Sequence, residues 1–318
     1  MVRRVNHLFE SVTGFDNLWY AWKKARQGSG WGPETHQFFY YLEKELLQLQ
    51  QELQEERYQP GPYRHFHIKE PKPRCIAVAP FRDRVVHHAL VQVLTPVFEP
   101  TFISDSYATR VNKGTHKAIM RAQSFCRRYD WYYKMDISAF FETVDHGVML
   151  KRVSHKIKDQ RVHQLTATII HNVEGGKGLP IGNLTSQFFA NVYLNPLDWF
   201  IKQNLGAKGY LRYMDDFVIF SDDKDQLKTW HAQIAQFVTS ELRLNLKQKA
   251  NWLNTTQHGL SFLGRRIFPG LLRHCPENYR RSLLKAQKRL RDFEHERIDE
   301  QTMADSLACI SAHLNHFR

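Results

Sequence analysis

Two adjacent carboxylates, Asp215 and Asp216, sit in the middle of the run Gly209-Tyr210-Leu211-Arg212-Tyr213-Met214-Asp215-Asp216-Phe217-Val218-Ile219-Phe220-Ser221. Leu211, Tyr213, Val218 and Phe220 alternate as half-buried strand residues do, so Met214 to Asp216 is expected to form the tip of a hairpin inside a sheet. Neighbouring acids held there repel and raise each other's pKa unless a cation neutralises them, which makes a divalent metal their natural partner. Most Asp-Asp pairs are merely solvated turns. The Tyr-Met that precedes this pair and the apolar strand that follows separate it from that background. A third acid, Asp136, closes a strand-like run from Trp131 to Ile137. Alone it would read as a cap or turn residue. Beside Asp215 and Asp216 it supplies the third carboxylate that a pair of magnesium ions needs alongside substrate phosphates.

Composition narrows the substrate class. The 318 residues are 42% hydrophobic and 24% charged, as in an ordinary globular enzyme with room for two or three subdomains. Lys and Arg number 45 against 32 Asp and Glu, a net charge of +13 that favours a polyanion such as nucleic acid over a neutral metabolite. Cysteines at 75, 126, 275 and 309 form no Cys-x-x-Cys pair, so neither a structural zinc nor a disulfide framework is suggested. No apolar run approaches the length of a membrane span, and the start lacks the apolar core of a signal peptide, so a cytoplasmic location is expected.

Several elements must hold these acids in place. Leu18-Trp19-Tyr20-Ala21-Trp22 is expected to anchor a helix through Trp19 and Trp22 at i, i+3. Pro33 to Arg57 reads as one helix with Phe38, Leu42, Leu46, Leu49 and Leu53 on one face. Tyr63 to Lys69 and Arg74 to Val78 read as a basic hairpin turning at Glu70-Pro71-Lys72-Pro73. Helices are expected from Asp83 to Phe98, from near His116, and twice within 146–172. A glycine-rich loop, 175–187, leads into a long apolar helix ending near Leu205. An amphipathic helix from Lys224 to Leu242 follows, and then a short strand pair formed by 244–249 and 259–266. From Arg265 to Arg291 nine Lys or Arg face a single acid, Glu277, a sign ratio that suits a nucleic-acid backbone.

From about Tyr63 to Arg318 the residues resemble a reverse transcriptase. Tyr213-Met214-Asp215-Asp216 is similar to the polymerase active-site hairpin, Asp136-Ile137-Ser138-Ala139-Phe140-Phe141 to the metal-binding strand before it, and Phe262-Leu263-Gly264 to the primer grip. Within the group II intron-like bacterial superfamily, Ile181-Gly182-Asn183-Leu184-Thr185-Ser186-Gln187 resembles the enzymes of diversity-generating retroelements. Most relatives carry Gln-Gly there and end in Ser-Pro. Asn17-Leu18-Trp19, Trp31-Gly32 and Ser311-Ala312-His313 are similar to that subgroup too.

The resemblance implies an α+β right-hand polymerase fold: a helical extension over 1–60, fingers over 61–132, a palm over 133–255 with an insertion at 146–180, and a primer grip and helical thumb over 256–318. It implies that Asp136, Asp215 and Asp216 are catalytic and, with Ile137, hold two Mg2+ ions, with Mn2+ as a substitute in vitro. Phe141 is implied as the steric gate against a 2′-hydroxyl. Lys69, Arg74, Ile181, Gly182, Gln187 and Lys249 are implied around the nucleotide, with Lys247 as the alternative to Lys249. Arg265, Arg266, Arg280, Arg281, Lys285, Lys288 and Arg289 would meet nucleic acid. The implied partners are a template RNA and its RNA–DNA hybrid, deoxynucleoside triphosphates, and a small basic accessory variability protein. Isoleucine at 181 offers only shape where glutamine would contact the nucleotide, so error-prone synthesis opposite template adenine is expected. A related enzyme of antiviral defence and a catalytically silent RNA-binding scaffold are the competing readings.

Overall fold

The computed structural model describes residues 4–27, 30, 32–69, 73–248 and 251–315. Four helices come first: α1 (Phe9–Thr13), α2 (Phe15–Gln27), α3 (Pro33–Tyr40) and α4 (Leu42–Gln54). Trp22 is buried, with its ring 5.1 Å from that of Trp19, so the aromatic cluster anchors α2 as its spacing suggests. The single helix expected from Pro33 to Arg57 breaks at Tyr41. The break lets Phe38 pack edge-on against Phe81 at 5.2 Å, while Leu46, Leu49 and Leu53 turn into the core.

The basic hairpin is present as β1 (Arg64–Ile68) and β2 (Arg74–Val78), with Ile68 opposite Arg74. Its turn at 70–72 lies outside the described residues, as do Trp31 and Lys249. Helices α5 (Phe81–Phe98) and α6 (Thr115–Arg128) lead to β3 (Trp131–Asp136). Next come α7 (Phe140–Thr143), α8 (His146–Ser154), α9 (Gln160–His171) and α10 (Leu184–Trp199), the last running on into a π-helical turn over Phe200–Asn204. Strands β4 (Gly209–Tyr213) and β5 (Asp216–Ser221) then flank the two acids. Helix α11 (Lys224–Leu242) starts where Asp223 accepts hydrogen bonds from the Asp225 and Gln226 amides, a side-chain cap that fixes its first turn.

A four-stranded antiparallel sheet carries the acids, in the order β4-β5-β3-β6, where β6 is Trp252–Thr255. Both faces are buried, and the two-residue strand period sorts them. Tyr210, Met135, Phe217 and Ile219 join the large core formed with the N-terminal helices, α5 and α8 to α10. Leu211, Tyr132, Val218 and Phe220 face a second core, closed by Ala118, Ile119, Ala122 and Phe125 of α6. Leu260, Phe262 and Ile267 complete that second core.

These last residues correct the predicted strand pairing. Leu246 makes only an isolated bridge, to Ile137, and the pairing falls within one segment: β7 (Leu260–Phe262) with β8 (Arg265–Ile267), then β9 (Leu272–His274). Leu263 and Gly264 take φ of 49° and 79°, so Phe262-Leu263-Gly264 is a tight hairpin turn instead of part of a strand facing 244–249. Helices α12 (Pro276–Glu294) and α13 (Glu300–Asn315) finish the described chain, and no residue of α12 is buried. No helix of the described residues is long and apolar enough to cross a membrane.

Candidate active site

The three acids meet at one end of the sheet. Asp136, last residue of β3, lies directly opposite Asp216, first residue of β5, so both side chains leave the same face. Met214 and Asp215 form the loop between β4 and β5, and the Asp215 backbone carbonyl accepts from the Ile137 amide at 3.3 Å. The loop is strained, because Met214 takes φ of 58°, a region that non-glycine residues rarely occupy. The segment 245–247 buttresses the other strand: Lys247 N donates to Asp136 O at 2.8 Å, and Ser138 N to Asn245 O at 2.8 Å.

Below the loop lies a fully buried arginine that the sequence reading did not single out. Arg212 Nε and Nη2 bind Asp198 Oδ1 and Oδ2 at 2.7 and 2.6 Å. Nη1 reaches Asn191 Oδ1 at 3.2 Å and Met214 O at 3.0 Å, and Nη2 also reaches Ser106 Oγ at 3.1 Å. Every guanidinium N–H is thereby used. Asn191 in turn donates to Ala108 O and Thr109 Oγ1, two residues that line the cleft above. One side chain thus braces the strained catalytic loop and the 106–109 loop together. Its signal in the sequence was a basic residue in an otherwise apolar strand, with a lone acid in an apolar helix. Neighbouring cations are spent locally: Arg110 on the Ile103 and Ser106 carbonyls and on Glu99 at 2.7 Å, Lys113 on Ser104 O, Lys117 on Asn112 O.

A cleft of about 580 Å3 opens over the acids. Asp136, Ile137, Asp215 and Asp216 form its floor, and Arg74, Phe141, Ile181 and Gln187 line its walls with Leu263 and Lys247. Ile181 is docked on β2, its carbonyl accepting from Ala77 N at 2.9 Å. Gly182, at φ of 114°, supports that docking from behind, since a Cβ there would lie 2.8 Å from Ile76 Cγ2. Lys69 is exposed at the end of β1, outside the cleft. Lys247, the alternative to Lys249, is in it.

The basic stripe is only partly a surface. Arg265 is 5% exposed, with Nη1 against the His274 ring, so burial removes it from the nucleic-acid set. Arg266 is exposed and reaches His258 O at 2.8 Å. Arg280, Lys285, Lys288 and Arg289 are exposed along α12, and Arg281 is half-buried there.

Electrostatics at the floor suit a cation. Burial, and then the Asp136 carboxylate, raise the Asp215 pKa. Burial pushes Asp216 up to about 7, with Asp136 and Asp215 adding to the rise and Lys134 opposing it. Asp216 Oδ1 is buried with no hydrogen-bond partner, while Oδ2 pairs with Lys134 at 3.0 Å. Among the described residues no group of three His, Cys, Asp or Glu forms a closed metal cage. Mg2+ is bound by one or two carboxylates with water and substrate phosphates completing its shell, and the buried, unpartnered Asp216 Oδ1 is a donor of the kind it takes. The donor set therefore fits.

Comparison with known proteins decides the family: the signature of "Reverse transcriptase (RNA-dependent DNA polymerase)" matches residues 68–267, well over half the chain. The chain belongs to the reverse transcriptase family. Membership places it among the RNA-directed DNA polymerases, a family that uses divalent metal ions. The reverse transcriptase is 27% identical to Protein YkfC of Escherichia coli over 273 residues, covering 71% of this chain and 72% of that one. It is 28% identical over 174 residues to the group II intron-encoded protein LtrA of Lactococcus lactis, covering 51% of this chain but only 29% of LtrA. In fold it is similar to an apo telomerase from Candida tropicalis, with a TM-score of 0.54 at 13% identity, covering 70% of this chain and 58% of that one. The expected right-hand polymerase architecture is thus the one this reverse transcriptase has.

Proposed function

We propose that this reverse transcriptase copies a template-repeat RNA into error-prone cDNA within a diversity-generating retroelement. The observation that carries the polymerase part is the convergence of Asp136, Asp215 and Asp216 beneath a cleft walled by Arg74, Phe141 and Ile181. Asp136 and Asp215, with the Ile137 carbonyl, would hold two Mg2+ ions, and Asp216 completes the negative floor. When bound, such a pair lowers the pKa of the primer 3′-hydroxyl and neutralises charge on the leaving pyrophosphate. The remaining work is positioning. Arg74 and Lys247, which line the cleft, face the triphosphate. The Phe141 ring lies under the sugar and rejects a 2′-hydroxyl by collision. Leu263, at the tip of the Phe262-Leu263-Gly264 turn, faces the primer terminus from the opposite wall. Arg266, Arg280, Arg281, Lys285, Lys288 and Arg289 follow the hybrid backbone. The 61–132, 133–255 and 256–318 segments act as fingers, palm and thumb behind the 1–60 extension.

Ile181 carries the retroelement part. An aliphatic side chain at the cleft wall offers shape and no hydrogen bond, so a mispaired base loses less than it would against glutamine. A template RNA and a small basic accessory variability protein are the partners this role requires. Extension of a DNA primer on an RNA template with Mg2+ and deoxynucleotides, followed by sequencing of the product, tests both parts. Errors concentrated opposite template adenine support the retroelement role. Accurate cDNA would leave a polymerase without it, and no extension would remove both.

A further inference from the structure

We propose that Lys134 is a positioning residue that ties Asp216 to the primer-gripping hairpin, so that the cleft floor and the seat of the primer terminus keep one geometry. The proposal deepens the polymerase reading above and rests on it. Lys134 lies two residues before Asp136 on β3, so both side chains leave the same face of the sheet. That face is the one β7 and β8 cover. Lys134 Nζ is 3.0 Å from Asp216 Oδ2 and donates to Ser261 O at 3.0 Å. It also stands 5.8 Å from the centre of the Phe262 ring. A single ammonium therefore joins a carboxylate of the floor to the strand that leads into the Leu263-Gly264 turn.

The remaining contacts make this tie directional. At the turn itself, Gly264 O accepts from Cys275 N at 3.3 Å and from Asn278 Nδ2 at 3.4 Å, so the turn is hydrogen-bonded toward α12. Lys134 supplies an opposing polar tie, from β7 to the sheet, beside the Tyr132 hydroxyl, which donates to Gly259 O at 3.1 Å just before β7. Its side chain is 21% exposed and that of Asp216 22%, so solvent screens the pair only in part. Lys134 also divides the carboxylate, holding Oδ2 and leaving Oδ1 free of protein partners. Asp215 and Asp216 are thereby unequal by construction, one on the loop open to the cleft and the other half committed to Lys134. A hairpin released from this tie can shift relative to the acids, and misplacement by about 1 Å costs up to about 100-fold in rate.

The test compares wild type with Lys134→Met and Lys134→Arg. Each is given an RNA–DNA hybrid whose primer ends in 2-aminopurine, whose emission reports stacking at the terminus, in EDTA and without divalent ion. Hybrid affinity is read by anisotropy, and kcat and the deoxynucleotide KM are then measured with Mg2+. For Lys134→Met the expected result is altered terminal emission, hybrid affinity within about twofold, and kcat lowered about tenfold at unchanged KM. Lys134→Arg, which keeps the charge and the donors, should recover most of both signals. Lys134→Gln is the substitute if the methionine variant does not fold. Wild-type emission and wild-type kcat in Lys134→Met would overturn the proposal. So would a loss of hybrid affinity in step with a lowered melting temperature, which marks a purely structural lysine. An inactive wild type would instead overturn the polymerase reading, while the metal-free emission would still decide the role of Lys134.

Discussion

Arg212→Lys is the most informative change outside the cleft. Arg212 fills five N–H donors with five acceptors: both oxygens of Asp198, Asn191 Oδ1, Ser106 Oγ and Met214 O. Lysine has three donors on one nitrogen, so at least two of those acceptors lose their partner. Each buried group left unsatisfied costs about 1–3 kcal/mol, giving roughly 2–6 kcal/mol for the pair of losses. At about 2–4 °C per kcal/mol for a large domain, the melting temperature should fall by roughly 5–20 °C. Arg212→Met should cost about 3–5 kcal/mol by leaving Asp198 buried without a counter-charge, and adding Asp198→Leu should recover part of it. Thermal melting, and single-turnover incorporation at a temperature where the variant is folded, measure the two consequences. The rate should fall even in fully folded protein, because the strained Met214 loop loses its anchor. Unchanged melting, within about 1 °C, together with a wild-type rate in Arg212→Lys would refute the bracing role of this network.

Ile181→Gln should lower misincorporation opposite template adenine, which sequencing of cDNA made with and without the change measures directly. An unchanged error spectrum would remove Ile181 from the fidelity argument. Phe141→Ala should admit ribonucleotides, read as a rise of about tenfold or more in the ratio of ribonucleotide to deoxynucleotide kcat/KM. The raised pKa of Asp216, about 7 because of burial and its acidic neighbours, sets a pH dependence. A carboxyl whose folded pKa exceeds its unfolded one favours the folded state below the unfolded value, and that contribution is lost as pH rises through the folded value. Metal-free protein should therefore lose stability relative to Asp216→Asn between about pH 4 and 7, and Mg2+ should restore melting temperature chiefly at the upper end of that range. Equal effects of EDTA at both ends of that range would contradict a metal on this floor.

The sequence disclosed those parts whose signals are local. The Asp215-Asp216 hairpin followed from strand alternation, and α11 from a helical period. Asp136, which alone would read as a cap or turn acid, could be paired with them because two metal ions need a third carboxylate. Other features depended on residues remote in the chain. Tyr41 interrupts the helix predicted through it because Phe38 must reach Phe81 while α4 packs elsewhere. Arg265 read as part of a basic stripe, yet the return of β9 places His274 against it and buries it. Strand β6 was missed because its short Trp-Leu-Asn-Thr, two apolar residues followed by two polar ones, shows no alternation, and pairing with β3 defines it. Lys134 and Arg212 were legible only as charges in strands, and their partners lie on other elements.

Incorporation of deoxynucleotides on a primed RNA template with Mg2+, comparing wild type with Asp215→Ala, tests the shared floor most directly. Polymerase chemistry at this site predicts steady extension by wild type and a loss of at least about a thousandfold in the variant, with hybrid binding retained. Extension by Asp215→Ala at the wild-type rate would contradict it.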